Sequence, residues 1–118
     1  MDCIFCKIIK KEISAKILYE DEAVVVFPDI HPVRPVHLLI VPKEHVEDFV
    51  NVDDAGLFSK LFSVAQQMVS RGGLPVGRQG LKDRGFRLVI NGGGAQIVPH
   101  LHIHLMGPIG KTAGRLAS

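Results

Sequence analysis

Three histidines stand at every second position near the end of the chain. The stretch reads VPHLHIHLMG over residues 98–107, and His100, His102 and His104 are half of the six histidines in the protein. Side chains alternate between the two faces of a β-strand. In an extended chain the three imidazoles therefore share one face, and the apolar residues between them share the other. This pattern predicts a site of catalysis or of metal binding.

Three interpretations of the histidine strand follow from the residues alone. In the first, one ring packs in the core and two face solvent, as isolated histidines often do. In the second, the rings bind zinc, although the outer two would lie about 13 Å apart along a strand and would strain to share one ion. In the third, the central ring is a nucleophile. An imidazole with a pKa of about 6.5 is mostly neutral at neutral pH and can attack phosphorus, whereas a lysine would be protonated.

Length and composition favour one globular domain over residues 1–118. Hydrophobic residues make up 47% of the chain, and a domain of this size often gains burial by forming oligomers. The net charge is only +2, no basic block is present, and one tyrosine and no tryptophan are available to stack on bases. We therefore expect no nucleic-acid polymer as a partner. Lysines interrupt the apolar N-terminal stretch, so we expect no membrane segment and a cytoplasmic location.

One long helix is predicted from the periodicity of apolar residues. It is expected over residues 53–71, with Asp53 as its N-cap and Gly72 just past its end. Its predicted apolar stripe consists of Leu57, Leu61, Phe62, Ala65, Met68 and Val69.

Five short strands complete the expected domain. Proline positions and apolar runs place them at residues 16–20, 23–29, 37–42, 86–91 and 100–106. This order favours an α+β domain with an antiparallel sheet. The glycine-rich stretch 72–85 lacks apolar periodicity and predicts a mobile surface loop, and it does not match a phosphate-binding P-loop.

The segment HLHIHLM resembles the His-x-His-x-His signature of the histidine triad (HIT) family. The stretches CIFCKIIKKEISAKILYEDE, FPDIHPVRPVHLLIVPKEH and LVINGGGAQIVPHLHIHL resemble its Hint branch, the nucleoside phosphoramidate hydrolases also described as protein kinase C interacting protein homologues. The similarity covers nearly the whole chain except the loop 72–85 and the tail. It implies a HIT-like α+β fold, with a five-stranded antiparallel sheet and one long and one short helix. It also implies a homodimer that joins two such sheets.

The resemblance also implies a reaction, the hydrolysis of purine nucleoside 5'-phosphoramidates through a nucleotidyl-histidine intermediate. By position the nucleophile falls on His102, and water then releases the nucleoside monophosphate. The leaving amine needs a proton donor, and the matching positions are His104 and His37, two imidazoles that could relay a proton near neutral pH. His100 is the remaining member of the triad.

The bound nucleotide, an AMP or GMP conjugate, is expected to contact three segments. Asp29 matches a family aspartate that accepts hydrogen bonds from the ribose hydroxyls. Asn91 matches a phosphate contact, the alternative being an ordinary turn asparagine, and Gln96 lies in the glycine-rich loop beside it. The positions that match the apolar walls around the purine are Phe5, Ile8, Phe27, Ile30 and Leu39.

Two residues depart from the family pattern near the expected phosphate site. Ile97 stands where many relatives have serine, so a hydroxyl donor is missing. Ala95 replaces a glycine of the loop, and its side chain restricts how closely the backbone can approach the phosphate. We expect slower turnover or a different leaving group.

The two cysteines raise the question of a separate metal site. Cys3 and Cys6 are too close in sequence to staple the fold, and in a reducing compartment such a pair indicates metal or redox chemistry. Some bacterial-type relatives bind structural zinc at positions that map onto Cys3, Cys6, His45 and His100. Two cysteines and two histidines suit a closed tetrahedral zinc site, and a pair of reduced thiols without metal is the alternative. No cofactor is expected for the reaction itself.

Two other functions stay open from the sequence. A dinucleoside polyphosphate hydrolase would use the same nucleophile on a phosphoanhydride. A binding module would hold a nucleotide while its dimer surfaces recruit other proteins. Turnover of AMP–amine conjugates, compared with diadenosine polyphosphates, distinguishes the three.

Overall fold

The structure, a computed structural model, describes residues 3–71 and 80–111. Its elements in chain order are α1 (Ile4–Ile9), β1 (Tyr19–Glu20), β2 (Val24–Pro28), β3 (Val36–Pro42), a 3-10 turn (Phe49–Asn51), α2 (Ala55–Ser70), β4 (Arg87–Val89) and β5 (Ile103–Gly107). The strands form one antiparallel sheet in the order β1-β2-β3-β5-β4. The expected α+β class, with a five-stranded sheet and one long and one short helix, is confirmed.

The central strand β3 is buried on both faces of the sheet, because residues of α2 pack against one face and residues of α1 against the other. Its residues alternate between two apolar clusters. Leu38 and Ile40 belong to the cluster that includes α2, and Leu39 and Val41 to the cluster that includes α1. His37 follows the same alternation and therefore shares the α1 face with Leu39.

Helix α2 begins and packs slightly differently from the sequence prediction. Its N-cap is Asp54, whose carboxylate accepts a hydrogen bond from the Gly56 N–H at 2.9 Å, so the prediction of Asp53 was wrong by one residue. Phe62 is 43% exposed and lies outside the buried stripe, whereas Val64 is buried. The reason is the helical period, which places positions 61, 64, 65 and 68 on one face and turns position 62 toward the sheet edge.

Strand β5 is shorter than predicted, because it begins at Ile103 instead of His100. Its partner β3 ends at Pro42, which has no N–H to donate, and the carbonyl oxygen of Pro42 lies 2.8 Å from Nε2 of the His100 ring. The backbone of His100 turns, with its N–H bonded to the Val98 carbonyl. The predicted alternation of faces nevertheless holds, since Leu101 and Ile103 lie in the α2 cluster.

The remaining bounds differ from the predictions mainly at strand ends. The strands predicted at 16–20 and 86–91 are reduced to Tyr19–Glu20 and Arg87–Val89. Gly72 and most of the predicted loop 72–85 lie outside the described residues. Within residues 3–71 and 80–111, neither helix combines the length and apolar character that crossing a membrane requires.

Candidate functional site

Two histidines from neighbouring strands meet on the α1 face of the sheet. His104 lies on β5 opposite Leu39 of β3, and His37 lies two residues before Leu39. Both side chains project to the same face, and Nε2 of His37 lies 2.9 Å from Nδ1 of His104. Antiparallel pairing of β3 with β5 therefore creates a hydrogen-bonded imidazole pair that no local sequence pattern shows.

Residues after two other strands complete this group. Asp29 follows β2, and its Oδ2 lies 3.4 Å from Nε2 of His37 and 4.0 Å from Nδ1 of His104. Asn91 follows β4, and its side-chain amide lies 3.4 Å from Nε2 of His104. The structure thus brings Asp29, His37, Asn91 and His104 together, although they come from four separate segments of the chain.

His102 is buried beside this group, with 6% of its surface exposed. Its Nδ1 lies 2.7 Å from the carbonyl oxygen of His100. A carbonyl only accepts, so Nδ1 carries the proton and Nε2 keeps its lone pair. The ring lies against Phe5 and His104, at centroid distances of 5.1 and 4.8 Å. The backbone therefore fixes His102 in the tautomer that a nucleophilic imidazole needs.

Burial favours the neutral form of the His102 and His104 rings. The pKa of His104 is lowered to about 4, chiefly by burial and also by the neighbouring His102 and His37, while Asp29 opposes the shift. Burial also lowers the pKa of His102, against a hydrogen bond to His100 that raises it. Neutral imidazoles at neutral pH can act as lone-pair donors and as N–H donors.

A second cluster lies at the other end of the histidine segment. Nδ1 of His45 lies 3.2 Å from Sγ of Cys6 and 3.2 Å from Nδ1 of His100, while Sγ of Cys3 lies 3.3 Å from Nδ1 of His100. All four ligand atoms lie within 4.8 Å of one another. The four predicted metal ligands are thus assembled from α1, the segment after β3, and the approach to β5.

The hydrogen bonds of this cluster fit a zinc ion. His100 Nε2 faces the Pro42 carbonyl and must donate to it, so the lone pair of Nδ1 points at the two thiols, as in histidine ligands held by a backbone carbonyl. Cys3 Sγ also accepts from the Cys6 N–H as the N-cap of α1. Burial raises the pKa of the Cys6 thiol in the absence of metal, and a bound cation would favour the thiolate instead. Nε2 of His45 is buried without a hydrogen-bond partner among the described residues.

The glycine-rich loop after β4 is attached to the segment that follows His45. Oδ2 of Asp48 accepts from the Gly93 N–H at 2.8 Å. A Cβ at Gly92 would come within 2.5 Å of Oδ1 of Asp48, so a side chain at position 92 would force the Asp48 carboxylate to shift. The amide of Gln96 bonds to the Glu47 carbonyl and the Gly94 N–H. Gln96 therefore stabilises the loop itself, and Asp48 is an anchor that no sequence motif indicated.

The positions predicted to surround the purine divide into two groups. Ile30 is largely exposed beside Asp29. The others are buried and pack in the α1 cluster together with Val25 and Val41; these are Phe5, Ile8, Phe27 and Leu39. Four of the five positions are therefore core residues in this structure.

Comparison with known proteins identifies the family. Residues 10–110 match the model of the HIT domain. The chain belongs to the HIT family. The family resemblance seen in the sequence is therefore confirmed, and membership of the Hint branch within the HIT family stays a prediction.

Two relatives and one solved structure illustrate the similarity. The chain is 40% identical to protein HitA of Neisseria gonorrhoeae over 110 residues, which cover 90% of this chain and 95% of that protein. It is 42% identical over 111 residues to the 14 kDa zinc-binding protein of Brassica juncea, with coverage of 90% and 92%. A solved HIT family hydrolase from Clostridium thermocellum matches with a TM-score of 0.81 and 38% identity, covering 97% of this chain and 95% of that chain.

Proposed function

We propose that this HIT protein hydrolyses purine nucleoside 5'-phosphoramidates to a nucleoside monophosphate and an amine. The observation that carries the proposal is the fixed tautomer of His102, whose Nδ1 proton is held by the His100 carbonyl, so that Nε2 keeps its lone pair. The class of reaction is supported by family membership and by the similarity to the HIT family hydrolase from Clostridium thermocellum.

The first step is attack of His102 Nε2 on the α-phosphorus. A bond forms between this nitrogen and phosphorus, and the electron pair of the broken P–N bond goes to the amine nitrogen, which takes up a proton. His104 is the nearest candidate donor, with its Nε2 on the side away from His37 and toward Asn91. Water then attacks phosphorus, and the bond between phosphorus and His102 Nε2 breaks with its electron pair returning to that nitrogen. The monophosphate is released, and a proton from the water replaces the one that His104 gave to the amine.

The nucleoside is held, in this proposal, at the loop after β2. Oδ1 of Asp29 accepts from the His31 N–H, which fixes the carboxylate. The same carboxylate offers lone pairs to two neighbouring ribose hydroxyls. Ile30 offers the purine an exposed apolar surface, while buried Phe5 and Phe27 support the site from behind.

The test is turnover by purified protein of an adenosine 5'-phosphoramidate, with AMP and the free amine measured in equal amounts. Diadenosine polyphosphate serves as the comparison substrate. Faster turnover of the phosphoramidate supports the proposal. Preference for the phosphoanhydride would assign a dinucleoside polyphosphate hydrolase, and stoichiometric AMP binding without any turnover would assign a binding module.

Ile97→Ser tests whether a missing hydroxyl limits the rate. Ile97 is 97% exposed, so its replacement should change the free energy of unfolding by less than about 0.5 kcal/mol. A serine donor near the changing charge should raise kcat by about tenfold. Ile97→Ala is the matched control, because it removes the isoleucine without adding a hydroxyl. Equal kcat values for Ile97→Ser and Ile97→Ala would show that the missing hydroxyl does not limit the rate.

We propose that the Cys3, Cys6, His45 and His100 cluster binds one structural zinc ion. Four protein ligands leave no open position for water, unlike a catalytic zinc site. The similarity to the Brassica juncea relative, a zinc-binding protein, supports this assignment. The ion would supply folding energy and would leave the reaction to His102 and His104.

We also propose a homodimer that extends the sheet at its β4 edge. β4 ends the strand order within residues 3–71 and 80–111, and a strand edge of this kind offers N–H and C=O groups to a second copy. Beside it, a groove of about 530 Å³ between α2 and β4 is lined partly by exposed apolar side chains; these are Phe62, Phe86 and Leu88. An apolar surface next to a free edge fits a second copy of the same chain.

Leu88→Glu tests this interface. A charge in the middle of an apolar contact costs several kcal/mol unless it is paired, so the dimer should dissociate to monomers at micromolar concentration. Molar mass in solution, measured by sedimentation or light scattering, is the readout. Val50→Glu is the control, because Val50 is an exposed apolar residue that does not line this groove. A wild-type protein that is already monomeric would contradict the proposal.

A further inference from the structure

The geometry points to the backbone N–H of Val33 as a positioning group that fixes the proton of His37, and through it the proton of His104. We infer that His37 is held as a permanent donor and does not relay protons. The position of the proton on His37 can be measured without any substrate and does not depend on the proposed function. Only the role of that proton in the reaction rests on the proposed function.

The loop between β2 and β3 supplies this N–H. Its sequence, DIHPVRPV, carries prolines at positions 32 and 35, which have no N–H to donate. The N–H of His31 is taken by the Asp29 carboxylate, and the N–H of Val33 donates to Nδ1 of His37 at 3.1 Å. The side chain of Val33 is 68% exposed, so the contribution of this residue to the site is its backbone.

The hydrogen bond decides the tautomer of His37. Nδ1 accepts from Val33 and so carries no proton, which leaves the single proton of the neutral ring on Nε2. That N–H points between Nδ1 of His104 at 2.9 Å and Oδ2 of Asp29 at 3.4 Å. The shorter contact makes His104 the main acceptor.

The same reasoning then fixes His104. Because its Nδ1 accepts from His37, its own proton stands on Nε2, beside the Asn91 side chain. Amide oxygen and nitrogen positions are interchangeable on hydrogen-bonding grounds, so Oδ1 of Asn91 accepts this proton when the amide is turned over. A neutral imidazole held in one tautomer can donate a hydrogen bond to a reacting group without first becoming charged. His104 is thus held ready to donate to the leaving amine nitrogen.

The fixed tautomer excludes two other roles for His37. To pass on its Nε2 proton, the ring would need a new proton on Nδ1, where the Val33 N–H already points. A divalent ion bound by Asp29, His37 and His104, whose ligand atoms lie close enough for one, would need the Nε2 lone pair of His37, and that position is protonated. The two hydrogen bonds therefore run in one direction, from the Val33 N–H to His37 and from the His37 N–H to His104.

Nitrogen-15 NMR of the imidazole rings tests the inference directly, with His37→Gln used to assign the His37 signals. In the substrate-free wild type we expect the chemical shifts of a neutral ring with its proton on Nε2. Val33→Ala, which keeps the N–H, should give the same spectrum. Val33→Pro, which removes the N–H and adds a ring at an exposed site, should give a mixture of tautomers.

Steady-state kinetics are the second measurement, because a loss of packing alone would not lower kcat while leaving KM nearly unchanged. Val33→Pro should lower kcat about tenfold with KM nearly unchanged, since nucleotide contacts stay in place, and Val33→Ala should match the wild type. A wild-type His37 with its proton on Nδ1 would overturn the inference, and this measurement stands even if Val33→Pro fails to fold. A folded Val33→Pro protein with wild-type spectrum and kcat would overturn it as well. If the expected tautomer is found but no phosphoramidate is hydrolysed, only the proposed function fails.

Discussion

His102→Ala is expected to reduce phosphoramidate hydrolysis by about a thousandfold or more, because it removes the nitrogen that attacks phosphorus. AMP should still bind, since Asp29 and the loop after β2 are unchanged. The measurements are steady-state turnover and calorimetric binding of AMP. In the wild type, rapid acid quench with substrate labelled at the α-phosphorus should trap radioactivity on the protein, and the variant should trap none.

The variant needs two controls because His102 is buried. Truncation leaves a space beside Phe5 and an unpaired His100 carbonyl, so the melting temperature and circular dichroism must show that the protein is folded. His31→Ala is the matched control, since His31 is an exposed histidine whose only hydrogen bond to Asp29 among the described residues is made by its backbone N–H, which alanine keeps. Retention of most activity by folded His102→Ala would remove His102 as nucleophile and, with it, the reason for expecting a covalent intermediate.

The sequence was sufficient for those parts of the fold that follow from local periodicity. The apolar run of β3 and the helical stripe of α2 each fill one face of a core, so their patterns are strong. The prediction placed Phe62 in the core because it lies at the border of the apolar stripe of α2. Whether a residue at that border is buried depends on the neighbouring strand β4, and in the structure Phe62 is 43% exposed in the groove beside β4. The start of β5 was misplaced because strand pairing depends on the partner, and β3 ends at Pro42.

The candidate site was predictable in its residue types but not in its hydrogen bonds. The family resemblance pointed to His37, His102 and His104, and CxxC pointed to Cys3 and Cys6. The groups that set their tautomers are backbone atoms: the Val33 N–H, the Pro42 carbonyl and the His100 carbonyl. Every residue carries such atoms, so no residue type marks them, and only the fold shows which ones face an imidazole.

The double substitution Cys3→Ser with Cys6→Ser is expected to remove one zinc ion per chain and to lower the melting temperature by about 10 °C or more. The ion would connect α1 to the segment after β3 and to the start of the histidine segment, so its binding free energy is partly folding free energy. Serine is the suitable replacement because its hydroxyl can still cap α1, as the Cys3 sulfur does, while it is a poor zinc ligand. The fall in melting temperature then measures the loss of the zinc ion and not the loss of the N-cap of α1.

Chelation of the wild type provides the matched comparison for this variant. It should lower the melting temperature to that of the double variant, and it should have no further effect on the variant itself. Turnover measured well below either melting temperature should fall only a few-fold, through loosening of His100, whose carbonyl holds the Nδ1 proton of His102. If chelation instead stopped turnover at once in wild-type protein that remained folded, the metal would take part in the reaction. His102 could then not be assigned as a nucleophile that acts without metal.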